Sequence, residues 1–271
     1  MAPMPDASVT VVAGVDQLEP ANGPLFAVIG VFDGLHLGHQ YLLRHLVAEA
    51  GSRDARPSVI TFDSHPDEIL VGAAPPLLLD PEERIRLLEE AGVDVIVVQH
   101  FDAALRMTEY DDFIHRIAAR TRLAGVLMTP DAAFGHDRRG TPATVAELGE
   151  RDGFDLVVVP PFEVDGQSVR SSDVRAAIAA GDLAGAARLL GRPYSIVAAT
   201  GAGGSLTVAM PVAVPPAGEY GVGIINPTEP EGRARSAVMV VENGGSLRAI
   251  AADLDDATGR ILISFEPGAS A

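Results

Sequence analysis

Between Leu25 and Val159, short apolar runs alternate with stretches of helical spacing, and this alternation limits the fold more than any other feature. Leu25–Val31 is a continuous apolar run closed by glycine, which suits a strand buried on both faces. Leu42, Leu43, Leu46, Val47 and Ala50 then recur at helical spacing, and Pro57–Phe62 reads as a second strand. Asp80-Pro81-Glu82-Glu83 has the form of a helix start, with a cap, a proline at the first position and acids in the first turn; Gly92 ends that helix. Val93–Val98 is expected as a third strand, Glu109–Leu123 as a helix with Phe113, Ile117 and Leu123 inward, and Gly125–Met128 as a fourth strand. Thr141–Arg151 reads as a further helix and Phe154–Val159 as a fifth strand. Strands alternating with helices at this spacing predict an α/β fold with a doubly wound parallel sheet. Ligands of such sheets bind beyond the carboxyl ends of the strands, so the loops after each strand are the place to look for function.

The texture changes near Gly191-Arg192-Pro193. Short β-like runs follow (Leu206–Val214, Ala237–Val241, Ile261–Phe265), separated by Gly, Pro and Asn. The division expected is therefore residues 1–190 for the α/β domain and 191–271 for a small β-domain, with no internal repeat. Pro193–Gly218 carries no charge, but Pro211, Pro215, Pro216 and several glycines break it, so it reads as strands and turns rather than a spanning helix. The first twenty residues lack a basic segment ahead of an apolar block, so no signal peptide is expected and the cytoplasm is the expected compartment.

Composition narrows the chemistry. The chain has no cysteine, which removes thiolate nucleophiles and cysteine-based metal sites. It has no lysine either, which removes a Walker A loop, Schiff-base catalysis and a lysine general base. Asp and Glu outnumber Arg by 37 to 20, for a formal charge of −17, so neither nucleic acid nor an anionic membrane is an expected partner. A small anionic ligand is still open, served by arginine, histidine, backbone N–H groups and metal.

The loop after the first run is Gly30-Val31-Phe32-Asp33-Gly34-Leu35-His36-Leu37-Gly38-His39. Gly34 and Gly38 permit close approach of backbone to ligand, and the helix start offers N–H groups to an anion. His36 and His39, three apart, can both reach one side, as a phosphate clamp would require. Two other readings stay open on these residues alone: a zinc site needing a third ligand from elsewhere, and two packing histidines with no ligand.

The stretch GVFDGLHLGHQYLL resembles the HxGH nucleotidyltransferases, and more closely the adenylyltransferase half of the bacterial bifunctional riboflavin kinase/FAD synthetase family. Further matches follow in family order over about residues 25–195. Thr61-Phe62-Asp63-Ser64-His65-Pro66 resembles TFDPHP, Phe101-Asp102 an "FD" pair, and Asp131 with Phe134-Gly135 the loop G-[DN]-F-x-FG. Val169–Arg175 resembles ISSTxxR, and Gly181-Asp182 with Leu190-Gly191-Arg192-Pro193-Tyr194 the segment leading to the kinase. The resemblance implies transfer of AMP from ATP to FMN, with Mg²⁺ bridging phosphates, pyrophosphate leaving and no protein nucleophile. It assigns His36 and His39 to the α- and β-phosphates, and Ser171, Ser172 and Arg175, at a helix start, to the β,γ end. His36, His39 and Arg175 are thus the expected catalytic residues; Gly30, Phe32, Asp33, Gly34, Gly38, His65, Asp131, Ser171 and Ser172 are the expected binding residues. Taken alone, Ser171 and Ser172 would be a simple helix N-cap, Arg175 a solvated arginine and Asp131 a turn residue. Arg138 and Arg139 either close over phosphates or are solvated. No metal ligand or oligomeric state is assigned.

Several positions depart from the family. Arg170 stands where a serine is usual, Pro130 where an acid is common, Ala132 and Ala133 for a bulky pair, and Ser64 for a proline. The nucleotide-handling residues are better kept than those near the expected flavin, so a different phosphorylated acceptor is one alternative, and a non-catalytic flavin- or nucleotide-binding regulator another. Beyond residue 190 the kinase motif G-[FY]-P-T-A-N has only Gly204–Ala209 as its nearest stretch, with alanine at the asparagine position. Pro216–Gly221 keeps the P-x-x-G-x-Y pattern, the catalytic glutamate falls near Arg248, and the chain stops about where the family's last helix would begin. The expectation is a β-barrel that keeps its packing without riboflavin kinase activity.

Overall fold

The computed structural model describes residues 9–200, 205–225, 234–242, 246–250 and 260–270. They form two compact units: the chain up to Phe32 with Gly38–Pro75 and Ile85–Glu163, and Asp33–Leu37 with Pro76–Arg84 and the part from Val164 on.

The first unit is built on β1 (Thr10–Val12), β2 (Leu25–Ile29), β3 (Arg56–Phe62), β4 (Val95–Gln99), β5 (Leu123–Met128) and β6 (Asp155–Val158). The helices over the same stretch of chain are α1 (Leu37–Gly51), α2 (Pro66–Leu70), α3 (Pro81–Glu90), α4 (Ala103–Arg106), α5 (Tyr110–Ala118) and α6 (Pro142–Asp152). The six strands are parallel in the order β1-β4-β3-β2-β5-β6. The continuous apolar run of β2 is explained by its central place, where four of its five residues are buried. Leu25, Ala27, Ile60, Val95, Val97 and Val126 of the strands meet Phe113, Ile114, Ile117, Val145 and Leu148 of α5 and α6 in one core. Each such side chain contributes about 1.5–3 kcal/mol by leaving water. Helix α6 starts one residue after the expected Thr141, which instead caps it ahead of Pro142 at the first position, and Gly153 closes it in the left-handed region.

Three local expectations need correction. The sheet has a sixth strand, Thr10–Val12, whose three residues are too few to show a period and whose Val11 is exposed at the sheet edge. The helix expected over Glu109–Leu123 stops at Ala118: the N–H groups of Arg120 and Thr121 both return to the Ile117 carbonyl, and Leu123 is buried as the first residue of β5, paired with Leu25. The run Leu206–Val214 is not one strand, because strand pairing stops at Thr207, and Val212 makes only a lone bridge to Leu77.

A two-stranded ribbon, β7 (Glu163–Val164) and β8 (Gln167–Ser168), precedes α7 (Ser171–Ala179) and α8 (Leu183–Leu190). In the second unit, β9 (Ser195–Thr200), β10 (Ser205–Thr207), β11 (Gly218–Ile225), β12 (Arg235–Val241), β13 (Leu247–Ile250) and β14 (Arg260–Ser270) close into an antiparallel barrel in the order β10-β13-β12-β11-β14-β9. Val174, Ile178, Leu183 and Leu190 of α7 and α8 share a core with Ile196, Val222, Met239 and Ile263 of the barrel. The packing division at Val164 therefore falls ahead of the change of sequence texture at residues 190–191. Gly204, in the stretch nearest the kinase motif, lies outside the described residues. Among the described residues no helix is long and apolar enough to cross a membrane.

Candidate active-site residues

The chain leaves β2 through a strained loop. Phe32 (φ 54°) and Leu35 (φ 38°) both occupy the left-handed region although neither is glycine, and both are buried. Such backbone costs about 1–3 kcal/mol per residue and persists only where surrounding contacts impose it. Those contacts are visible. In the first unit the Thr61 hydroxyl donates to the Val31 carbonyl (3.0 Å), the Gly30 N–H donates to Ile60, and the Phe32 ring lies 5.1 Å from that of His39. A side chain at Gly30 would press on the Phe32 ring at 3.1 Å. His39 is half-buried in the first turn of α1, after Gly38.

In the second unit the same loop is held from α7 and from the segment after α8. The buried Asp33 carboxylate accepts the Leu78 N–H (2.9 and 3.1 Å) and the Arg175 Nη2 (2.5 Å), while Arg175 Nε donates to the Pro76 carbonyl (2.8 Å). The Ser171 hydroxyl donates to the Asp33 carbonyl (2.9 Å). Ser171 and Arg175, four apart on one helix face, thus address the backbone and the side chain of one residue. Arg192 donates to the carbonyls of Gly34 (2.8 Å) and Leu35 (3.2 Å). At Gly34 (φ 81°) protein packing already favours glycine, because an added Cβ would lie 2.9 Å from Leu78 Cδ1. His36 is buried, which pushes its pKa down to about 4 against an upward pull from Asp173, with Arg192 lowering it further. It is a neutral ring at pH 7, and so offers one N–H rather than a positive charge. Ser172 is exposed next to Ser171.

The remaining expected residues surround two cavities in the first unit. The larger, of about 480 Å³, opens at the carboxyl ends of β2, β3 and β4, between Gly30, Phe62, His65, Phe101, Met107, Phe134 and Arg138. Its aromatic wall is positioned by Asp63, whose carboxylate holds the Phe101 N–H (3.2 Å) and His100 (2.6 Å). Phe62 and Phe101 meet edge to face at 5.4 Å. Burial raises the Asp63 pKa, but these hydrogen bonds prevail and hold it below the usual carboxylate value. His65 caps α2, its Nδ1 accepting the Asp67 N–H (3.2 Å), so the neutral ring carries its proton on Nε2. The smaller cavity, of about 280 Å³, lies between β2 and β5, bounded by Leu42, Thr129, Asp131, Ala133 and Arg138. This is where the strand order reverses, the position at which doubly wound sheets bind ligands. Asp131 is exposed there and accepts the Thr129 hydroxyl (2.8 Å).

Arg138 and Arg139 part company. Arg138 lines both cavities, whereas Arg139 pairs with Glu109 (3.3 Å) and Asp137 (3.6 Å). Sequence reasoning singled out neither Arg192 nor Met107. Arg192 had a signal in the Gly191-Arg192-Pro193 turn; Met107 had none. Among the described residues no group of three or more His, Asp or Glu is placed to hold a metal.

A family model described as FAD synthetase matches residues 18–173, more than half of the chain. The chain belongs to the FAD synthetase family. Curated relatives in this family carry the name bifunctional riboflavin kinase/FMN adenylyltransferase. That of Haemophilus influenzae is 36% identical over 170 residues, covering 62% of this chain and 55% of the relative. That of Pseudomonas fluorescens is 32% identical over 186 residues, covering 68% and 60%. This FAD synthetase-family chain therefore matches little more than half the length of those relatives. A crystal structure described as a macrolide-efflux protein from Streptococcus pneumoniae has a TM-score of 0.79 at 21% identity, covering 95% of this chain and 89% of that one, which establishes a shared fold alone. The matched FAD synthetase segment contains both cavities, His36, His39 and Ser171; Arg175, Arg192 and the barrel lie beyond it.

Proposed function

We propose that this chain transfers AMP from ATP to FMN, giving FAD and pyrophosphate. The observation that carries the reading is the pair of cavities at the carboxyl ends of the parallel strands. The larger is walled by Phe62, Phe101 and Phe134 and suits a planar aromatic ring system. The smaller, at the reversal of strand order, suits a nucleotide, with Asp131 as its contact. A phosphate oxygen of FMN attacks the α-phosphorus of ATP; the bond to the bridging oxygen breaks, and pyrophosphate departs in line. No protein nucleophile is needed, so the chain's task is to position the reactants and neutralise charge.

The residue roles follow the family resemblance. His36 and His39 serve the α- and β-phosphates as N–H donors, and Ser171, Ser172 and Arg175 the β,γ end. Gly30, Phe32, Asp33, Gly34 and Gly38 shape the loop, with Arg175 acting first through Asp33. His65 borders the flavin. Mg²⁺ would be held by the phosphates of ATP, keeping several waters and few protein ligands, and would neutralise part of their charge. We assign residues 1–190 to adenylyl transfer and residues 191–271 to a barrel without riboflavin kinase activity, and place the reaction in the cytoplasm.

The test is to incubate the protein with ATP, Mg²⁺ and a panel of phosphorylated acceptors while following pyrophosphate. FAD from FMN, with no FMN from riboflavin, is expected. Pyrophosphate only with another acceptor would remove the flavin assignment, and none with any acceptor would favour a binding protein without catalysis.

A further inference from the structure

The loop Phe134–Gly140 is more constrained than a connection between β5 and α6 requires. Phe134 and Gly140 exchange backbone hydrogen bonds (3.3 and 2.9 Å), closing it into a tight ring. The His136 N–H donates to the Thr108 carbonyl (2.8 Å), and the His136 ring and Arg139 both reach Glu109 (3.2 and 3.3 Å). Gly135 and Gly140 lie so close to Tyr110 that an added Cβ would come within 2.6 and 2.5 Å of it. Within this frame Asp137 (φ 52°) and Arg138 (φ 57°) are consecutive non-glycine residues in the left-handed region. Strain of this kind at two neighbouring positions is retained when it places something. What it places is Arg138, which borders both cavities.

We propose that Arg138 binds the phosphate of the flavin acceptor and presents it to the nucleotide cavity. This deepens the adenylyl-transfer reading and rests on it. An aromatic cavity holds the ring system but leaves a dianionic phosphate to be located, and the attacking oxygen must lie beside the α-phosphorus. A guanidinium at the border of the two cavities meets both needs, because its planar donor fork binds phosphate by two hydrogen bonds and offsets repulsion between two anionic reactants. Arg139, tied to Glu109, fixes the loop instead.

The test compares FMN with riboflavin, which has the same ring and no phosphate. Binding of each to the full chain is followed by quenching of flavin fluorescence. The wild type is expected to prefer FMN by at least about tenfold, the value of one charge-assisted contact. Arg138→Ala and Arg138→Gln should abolish that preference while binding riboflavin as the wild type does, which also reports an intact cavity. Arg138→Lys should restore part of it. In FAD formation, Arg138→Ala should raise KM for FMN more than KM for ATP. A wild type that prefers FMN, with both variants keeping the preference, overturns the role of Arg138 and leaves the adenylyl-transfer reading standing. A wild type that binds neither flavin removes that reading and this inference with it.

Discussion

Asp33 is almost fully buried and its charge is met by Arg175 and the Leu78 N–H. Removing one partner of such a pair leaves the other uncompensated, at a cost of about 3–5 kcal/mol. Asp33→Asn is therefore expected to lower the unfolding free energy obtained from urea titration by about 3 kcal/mol, and a change below about 1 kcal/mol would mean the pair contributes little. His36 makes a second prediction at this scale. Its folded pKa of about 4 is below the value near 6.5 of an exposed ring. Between those values the unfolded chain takes up the proton and the folded one does not, so the stability conferred by the neutral ring is complete above pH 6.5 and is lost as pH falls toward 4. The loss should reach about 2 kcal/mol at pH 5, at about 1.4 kcal/mol per unit. His36→Gln should flatten that part of the stability profile; an unchanged slope would contradict the assigned burial effect.

At the scale of elements, two loops carry the residues proposed to act, one after β2 and one after β5. Gly140→Ala is expected to force a Cβ against Tyr110 and the Phe134 carbonyl and to open the ring that holds Arg138. FAD formation should fall by at least about tenfold, with a loss of only about 1–3 kcal/mol in stability by thermal melting, the usual cost of overpacking. Equal activity would show that the loop tolerates a looser frame. These loops also mark where sequence is readable. The strand Leu25–Ile29 and the start of α3 at Pro81 are legible, because burial on both faces and helix capping leave local signatures. Thr10–Val12 is too short to leave one. The left-handed backbone of Phe32, Leu35 and Arg138 has no signature either, since glycine would announce it and these residues do not. The bonds from Leu78, Arg175 and Arg192 to residues 33–35 are made across long stretches of chain, and only folding reveals them. Ser171 and Arg175 are legible as one helix face, but not as partners of Asp33.

For the whole molecule, the formal charge of −17 sets a problem for a chain whose proposed substrates are anions. Long-range repulsion slows their approach and salt screens it, with a Debye length near 30 Å at 0.01 M and about 8 Å at 0.15 M. The KM for ATP is therefore expected to fall as ionic strength rises over that range, whereas a rise would point to a locally positive approach path. The central claim is that the bond made and broken is at the α-phosphorus of ATP, with the flavin phosphate as acceptor. It is tested most directly by supplying FMN with ATP labelled at either the α- or the γ-phosphorus and separating the products. The account predicts α-label in FAD and γ-label only in pyrophosphate. γ-Label in the flavin, or α-label that never leaves the adenine nucleotide pool, would contradict it.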